Sequence, residues 1–148
     1  MNEVYRHQAL APDEYLGHVA ADGRVYEHRS GPDRYIGRVE LENGKIFESR
    51  LGPDRQIGHI DLSNGRVYLD KLGPDEYLGS VRSDGKLYLH RAMASDEYLG
   101  KVKEMASLAH GGGAFLLLVL PAHDEAAEAA RAEDEVNDAD TGPAVAPA

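Results

Sequence analysis

One short pattern recurs five times in this chain and constrains its fold more than any other feature. The pattern is an acid, two variable or aromatic residues, an aliphatic-glycine pair, a polar residue and an aliphatic residue. It is found at residues 13–19, 33–39, 54–60, 75–81 and 96–102. Because the period is only 20 or 21 residues, the chain is predicted to be a tandem array of small, similar units.

A second pattern, a basic or acidic residue followed by an aliphatic-aromatic pair, also recurs five times but out of step with the first. It is found at residues 3–7, 24–28, 45–49, 66–70 and 86–90. The array therefore opens on a second half-unit and ends on a first half-unit. If these two halves pair, the first strand locks to the last and the ring closes without exposed strand edges.

Each unit is predicted to be a β-hairpin, since its residues alternate with a period of two. On this pattern Tyr15, Gly17 and Val19 share one face, while Leu16 and His18 share the other. The turns carry the strongest short-range hairpin signal, at Asp22-Gly23, Asn43-Gly44, Asn64-Gly65 and Asp84-Gly85. Two-residue turns in units one and four and three-residue turns in units two and three predict the cross-strand pairs Val19–Tyr26, Val39–Phe47, Ile60–Tyr68 and Val81–Tyr88.

The predicted fold is all-β: a pseudo-symmetric closed ring of five two-stranded hairpins over residues 1–103. Both faces of the hairpin carry apolar residues, which fits either a small propeller or a ten-strand meander barrel. The recurring mid-strand glycine predicts the close approach of an aromatic ring or a neighbouring backbone.

Tandem Tyr-aliphatic-Gly strands, Asn/Asp-Gly turns and Val-Tyr strands resemble the bacterial short-hairpin repeats called beta-flower proteins. The resemblance covers about two thirds of the chain, and that family is of unknown function. Tyr15-Leu16-Gly17 and its counterparts are also distantly similar to MORN repeats. Neither resemblance implies a catalytic residue or a cofactor.

Composition excludes several classes of protein. The chain has no cysteine, so it can hold neither a disulfide nor a thiolate metal site. Of the net charge of −10, residues 1–120 account for −3 and residues 121–148 for −7. The repeat region lacks the basic stripe that nucleic acid requires. The first residues do not form a signal peptide, and a cytoplasmic location is expected.

Histidine recurs at the end of the second strand and is the first candidate for chemistry. On a closed ring with a narrow axis, three imidazoles and a carboxylate could bind a zinc-like ion, and the candidates are His7, His28, His90 and Asp70. The alternative is that these are polar residues at a solvated rim.

Tyrosines of the first strand are candidates for stacking against a carbohydrate or another small ligand. They are Tyr15, Tyr35, Tyr77 and Tyr98, and the alternative is that they pack in the core. No catalytic residue is predicted, because no nucleophile, phosphate-binding or paired-carboxylate motif stands out from the repeat.

The region after the repeats, residues 104–121, is predicted to contain a short helix and an apolar segment. Helical spacing runs over 103–110, and three glycines are then predicted to end the helix and free the chain before the apolar segment. The stretch 107–122 has 16 residues without charge, fewer than the ~20 of a membrane-spanning helix, so a membrane span is not expected. The apolar run is predicted to be a buried strand or plug, or an oligomer contact made by Phe115, Leu116, Leu117, Leu118 and Leu120. Residues 122–148 form an acidic tail, predicted to be helical over 124–136 and disordered at its end.

The function predicted from these features is a non-enzymatic structural or protein-interaction module that associates with itself or with a protein partner through the apolar segment. Ligand binding through repeated Tyr, Asp and Arg, and metal binding through the histidines, are the alternatives.

Overall fold

Ten antiparallel strands form a closed barrel in which each strand pairs with its neighbours in sequence and the first pairs with the last. The computed structural model describes residues 2–145, with side chains only as far as Glu133. The strands are β1 (Glu3–Arg6), β2 (Glu14–Val19), β3 (Arg24–Glu27), β4 (Arg34–Val39), β5 (Lys45–Glu48), β6 (Arg55–Ile60), β7 (Arg66–Leu69), β8 (Glu76–Val81), β9 (Lys86–Leu89) and β10 (Glu97–Lys103).

Pairing of the two chain segments that the repeat leaves incomplete closes the ring. Val4 of β1 lies opposite Val102 of β10, and Glu3 lies opposite Lys103. The predicted closure is therefore confirmed, and the architecture is a barrel rather than a propeller. Every strand edge has a partner, as closure requires.

The predicted register within each hairpin is wrong by one residue. Val19 lies opposite Val25 and not Tyr26, and Val39 lies opposite Ile46 and not Phe47. The same shift replaces the predicted Ile60–Tyr68 and Val81–Tyr88 pairs by Ile60–Val67 and Val81–Leu87.

The cause of the shift is that every turn is one residue longer than predicted. In the first hairpin the Ala20 N–H bonds to the Arg24 carbonyl, which leaves three residues in the loop, and in the second the Glu40 N–H bonds to the Lys45 carbonyl, which leaves four. Gly23 and Gly44 have φ of 95° and 78°, at the left-handed position that closes such loops.

A β-bulge in each first strand decides which side chains face the interior. Val4 of β1 pairs with Gly17 of β2, and Tyr5 pairs with Tyr15, so Leu16 is the extra residue. The same bulge recurs in the other first strands, at Ile36, Ile57, Leu78 and Leu99. The bulge turns the aliphatic residue and the following glycine inward together, while the preceding tyrosine stays outside. The prediction that Tyr15, Gly17 and Val19 share a face is therefore wrong.

A C-terminal helix fills the barrel. It comprises α1 (Leu108–Ala114), a π-helical segment (Phe115–Val119) and α2 (Leu120–Val145). Residues Ala109 to Val119 are buried among the inward Val, Ile and Leu side chains of the wall. The π-helical segment ends just before Pro121, whose ring crowds the carbonyl four residues earlier.

The C-terminal region differs from the prediction. The helix predicted over 103–110 begins only at Leu108, and the three glycines lie within it instead of releasing the chain. The helix predicted over 124–136 is part of α2, which continues to Val145. Of the end predicted to be disordered, residues 146–148 lie outside the described residues.

The two ends of the barrel differ in their connections. At one end, which we call the turn rim, the tight turns join the strands within a hairpin, and α1 begins there with His110 Nε2 placed 3.1 Å from the Ala21 carbonyl oxygen. At the other end, the loop rim, the loops 7–13, 28–33, 49–54, 70–75 and 90–96 join successive hairpins. The helix leaves the barrel at the loop rim, where Pro121 and Glu125 line a groove with Glu14.

Candidate functional site

Five equivalent polar clusters surround the outer face of the barrel, and we call them the aspartate clusters. Each contains the aspartate that precedes a first strand, a residue from a neighbouring first strand, and the residue that follows a second strand. In chain order of the aspartate they are Asp13 with Lys101 and His7, Asp33 with His18 and His28, Asp54 with Arg38 and Ser49, Asp75 with His59 and Asp70, and Asp96 with Ser80 and His90.

The aspartate contacts a basic side chain in each of the Asp13, Asp33, Asp54 and Asp96 clusters. Asp33 lies 3.5 Å from Nδ1 of both His18 and His28, on opposite carboxylate oxygens. The Arg38 Nε donates to Asp54 at 3.3 Å. Contacts of the same kind join His7 and Lys101 to Asp13, at 3.5 and 3.9 Å, and His90 to Asp96, at 3.4 Å. The recurring acid is therefore a partner for basic side chains.

The Asp75 cluster differs from the others because it contains two carboxylates. His59 Nδ1 lies 3.0 Å from Asp70 Oδ1 and 3.9 Å from Asp75 Oδ2. The side-chain amide of Gln56 donates to the other Asp70 oxygen at 2.7 Å. Among the described residues, this is the one group of three His or carboxylate side chains whose ligand atoms lie within 4.8 Å of one another.

The structure does not bring together the four residues predicted to form a metal site. His7, His28 and His90 each contact an aspartate of their own cluster, on separate hairpins around the outside of the barrel. The axis on which they were predicted to converge is occupied by the helix. Asp70 alone belongs to a group with metal-ligand spacing, and its partners are His59 and Asp75.

The candidate ligand-binding tyrosines pack against neighbouring rings on the outer face. Tyr15, Tyr35, Tyr77 and Tyr98 each lie beside the tyrosine opposite, with ring centroids 5.5 to 5.8 Å apart. Tyr35 is the most exposed of the four, at 36%, and the others are half-buried. Ring packing along the strands therefore accounts for their recurrence.

Burial and the nearby aspartates affect these phenols. Desolvation raises the pKa of Tyr15 above its usual 10, and the charge of Asp33 raises it further. The pKa of Tyr98 is raised in the same way by burial and then by Asp13. The neutral phenol is thus the favoured form in the folded protein.

The predicted oligomer contact is corrected by the position of the helix. Phe115 and Val119 have no exposed surface, and Leu116, Leu117 and Leu118 are at most 9% exposed within the single chain. Leu120 is half-buried and also packs against the core. The side chains from Phe115 to Leu118 fill the inside of the barrel and are not available to a second molecule, so of the predicted alternatives the structure supports a plug, formed by a helix.

Exposed apolar residues instead stand on the loop rim, and the sequence-based prediction missed them. Leu10, Leu51, Leu72 and Met93 are each 101–106% exposed, as open to water as in an extended chain. Each lies three residues before the aspartate of its cluster, and in the remaining loop that position holds Ser30. We call these four residues the apolar arc, since their loops are consecutive around the ring. Alignment of the loops on the aspartate is the signal that could have revealed them.

Comparison of this chain with protein-family models, curated proteins and solved structures gave no match. Among the residues that the structure describes, no helix combines the length and the apolar character needed to cross a membrane.

Proposed function

We propose that this protein is a non-catalytic interaction module that associates with a second copy of itself through the loop rim. The observation that carries the proposal is the apolar arc, four fully exposed large apolar side chains at equivalent positions. Single exposed leucines are common on protein surfaces, but a set repeated at one end of a molecule is typical of an interaction site.

The spacing of the arc suits a shared interface. Neighbouring loops are separated by two strands, about 10 Å, so adjacent apolar tips can contact one partner surface together. Burying one fully exposed Leu or Met side chain contributes about 1.5 to 3 kcal/mol. Four such side chains on each of two copies offset a cost of association on the order of 4 to 15 kcal/mol.

Ion pairs on the loop rim favour a second copy as the partner. Three basic residues there are paired with acids of the same rim: Arg29 with Glu27, Lys71 with Glu76, and Arg91 with Glu97. Ion pairs within the rim lower the charge repulsion between two identical rims and leave fewer free charges for recognition of an oppositely charged partner. The same patch can then meet itself in an isologous dimer.

Sedimentation equilibrium of the full chain tests the proposal. We expect a mass above the 16.1 kDa of one chain, and a return to that mass when Leu10, Leu51, Leu72 and Met93 are all replaced by serine, the residue present at the fifth position. The control is the pair Leu41→Ser and Leu62→Ser on the turn rim, where the side chains are 36% and 37% exposed. It should leave the mass unchanged.

Two outcomes would count against the proposal. One is a wild-type mass of a single chain throughout the micromolar range. The other is dissociation of the turn-rim variant to the same extent as the loop-rim variant, which would show that the arc has no special role.

A further inference from the structure

Two departures from the repeat meet in the Asp75 cluster. Gln56 stands where the other first strands have tyrosine, and Asp70 stands where the other units have histidine or serine. The same two positions form a tyrosine–histidine ring contact in three other units, with centroids 4.7 to 5.0 Å apart. Here they form a hydrogen bond of 2.7 Å between amide and carboxylate. An aromatic pair has thus been replaced by a polar pair that holds a carboxylate in place.

The candidate ligand atoms all lie within 4.8 Å of one another, and the two separations from His59 suit one metal ion. Ligands that bind a tetrahedral Zn²⁺ at about 2.1 Å lie about 3.4 Å from each other. The separations of His59 Nδ1 from Asp70 Oδ1 and Asp75 Oδ2, 3.0 and 3.9 Å, bracket that value. The three side chains are 26–42% exposed, so an ion can enter from solvent and keep a water ligand.

Neighbouring groups already orient two of the three ligands. The His59 imidazole stacks on the Tyr68 ring, with centroids 5.1 Å apart and planes 16° from parallel. Gln56 fixes Asp70 through the carboxylate oxygen that does not face His59. Such outer contacts are typical of metal sites, where they hold the ligands in place before the ion binds.

The charges of this cluster also differ from those of the others. Asp54 faces the permanent charge of Arg38, and Asp13 faces Lys101. In the Asp75 cluster two carboxylates share one imidazole, and the nearby Lys71 pairs with Glu76 at 2.6 Å. With a neutral imidazole the cluster has a charge of about −2, which a divalent cation would balance.

We propose that His59, Asp70 and Asp75 bind one divalent transition-metal ion of the Zn²⁺ type. Imidazole and carboxylate ligands suit zinc, cobalt and related ions, and the remaining position belongs to water. The site is built from two elements: β6 supplies His59, while Asp70 and Asp75 begin and end the loop 70–75.

Calorimetric titration of the untagged, chelator-treated full chain with ZnCl₂ tests this site. We expect one equivalent to bind, and at least tenfold weaker binding after His59→Ser or Asp70→Ser. Serine is the residue that other units carry at both positions, as Ser80 and Ser49, so the repeat itself shows that the substitutions are compatible with the fold. The matched control is His18→Ser, which removes the equivalent histidine from the Asp33 cluster and should leave the affinity unchanged.

Titration with CoCl₂ followed by visible absorption gives a second readout, because tetrahedral Co²⁺ has intense d–d bands that the two cluster variants should lose. The site is excluded if the wild-type chain binds no stoichiometric zinc, or if His18→Ser weakens binding as much as His59→Ser. Because Leu72 lies in the same loop, the titrations use both the wild-type chain and the Leu10, Leu51, Leu72 and Met93 serine variant. Zinc binding by both chains would support the site whether or not the protein self-associates.

Discussion

The wall of the barrel repeats five times, whereas the helix inside it occurs once, and the two carry complementary size patterns. Wall positions alternate between a large inward residue and a glycine, as at Val81 and Gly79 of β8. The helix places its small residues against the large wall residues, and its large residues against the wall glycines. A symmetric wall thus accepts an asymmetric filler through side-chain size alone.

The match follows the helical period. A side chain on Gly111 would contact Val81, while Phe115, four residues later, lies against Gly79 of the same strand. On β6, Gly112 faces Ile60 and Leu116 lies against Gly58. On β4, Gly113 faces Val39 and Leu117 lies against Gly37. Residues four apart share a helix face, and residues two apart share a strand face, so one alignment satisfies all three strands.

Removal of the helix is the strongest way to break this comparison. Truncation after Glu104 exposes the inward wall and deletes, among other buried residues, the five large apolar side chains from Phe115 to Val119, worth about 1.5 to 3 kcal/mol each. That sum matches the whole stability of a typical domain. We expect circular dichroism to show no cooperative thermal unfolding of the truncated chain.

Truncation after Glu133 is the control for that experiment, because it removes part of the acidic tail and keeps every buried residue among the side chains that the structure describes. Its melting temperature should stay within a few degrees of the intact chain. A repeat region that melts cooperatively without the helix would show that the wall specifies the fold alone.

Addition of one methyl group to a wall glycine comes next in size. In Gly58→Ala the new Cβ would lie 2.3 Å from the Tyr68 backbone oxygen and 2.6 Å from a Leu116 methyl. Since backbone and helix both crowd it, we expect a loss of about 3 kcal/mol in urea unfolding. Gly31→Ala, at an open loop position with nothing within 4 Å, should change stability by less than about 0.5 kcal/mol. Equal effects at the two sites would contradict the packing.

Asn2 joins the wall to the segment that leads into the helix, at the place where the ring lacks a turn, and its removal should have an intermediate effect. Its side chain is buried, donates to the Val19 carbonyl at 3.0 Å and accepts from the Ala106 N–H at 2.8 Å. Asn2→Ala leaves both groups without this partner, which costs about 1 to 3 kcal/mol. Urea unfolding measures the loss, and a variant as stable as the wild type would show that water replaces the amide.

Several features of the fold could be predicted from sequence because they depend on the repeat. Closure followed from the out-of-step half-units, and the pairing of Val4 with Val102 confirms it. The register could not be fixed, because the position of Gly23 in the turn depends on a hydrogen bond from Ala20 that residue identity does not determine. Three consecutive glycines argue against a helix by propensity, but here the space beside Val81, Ile60 and Val39 requires them.

The candidate sites were harder to predict, since they combine residues from different units. Asp33 begins the second unit, yet it contacts His18 and His28 of the first, which only the correct register reveals. The repeated pattern alone therefore does not reveal that the recurring aspartate is a partner for basic side chains. Asp70 was identified as a possible ligand, but its partners His59 and Asp75 become neighbours only in the folded barrel.

The smallest expected effect is that of the outer tyrosines on the way the free energy of unfolding depends on pH. Burial and nearby carboxylates raise the pKa of Tyr15 and Tyr98, so the folded protein favours the neutral phenol. Stability from these groups is complete below pH 10, where the unfolded phenol is also neutral, and declines as the pH rises through 10 toward the folded pKa. Urea unfolding from pH 8 to 11 should show this decline, and Tyr98→Phe should reduce it. A slope unaffected by the substitution would show that other groups cause it.

Amide hydrogen exchange of the intact chain tests the central claim, that the helix is the core of the barrel, most directly. We predict that amides of residues 109–119 exchange as slowly as those of the strands and open only in global unfolding. Fast exchange of this segment while the strands remain protected would contradict the account, because it would show that the wall stays folded without the helix inside it.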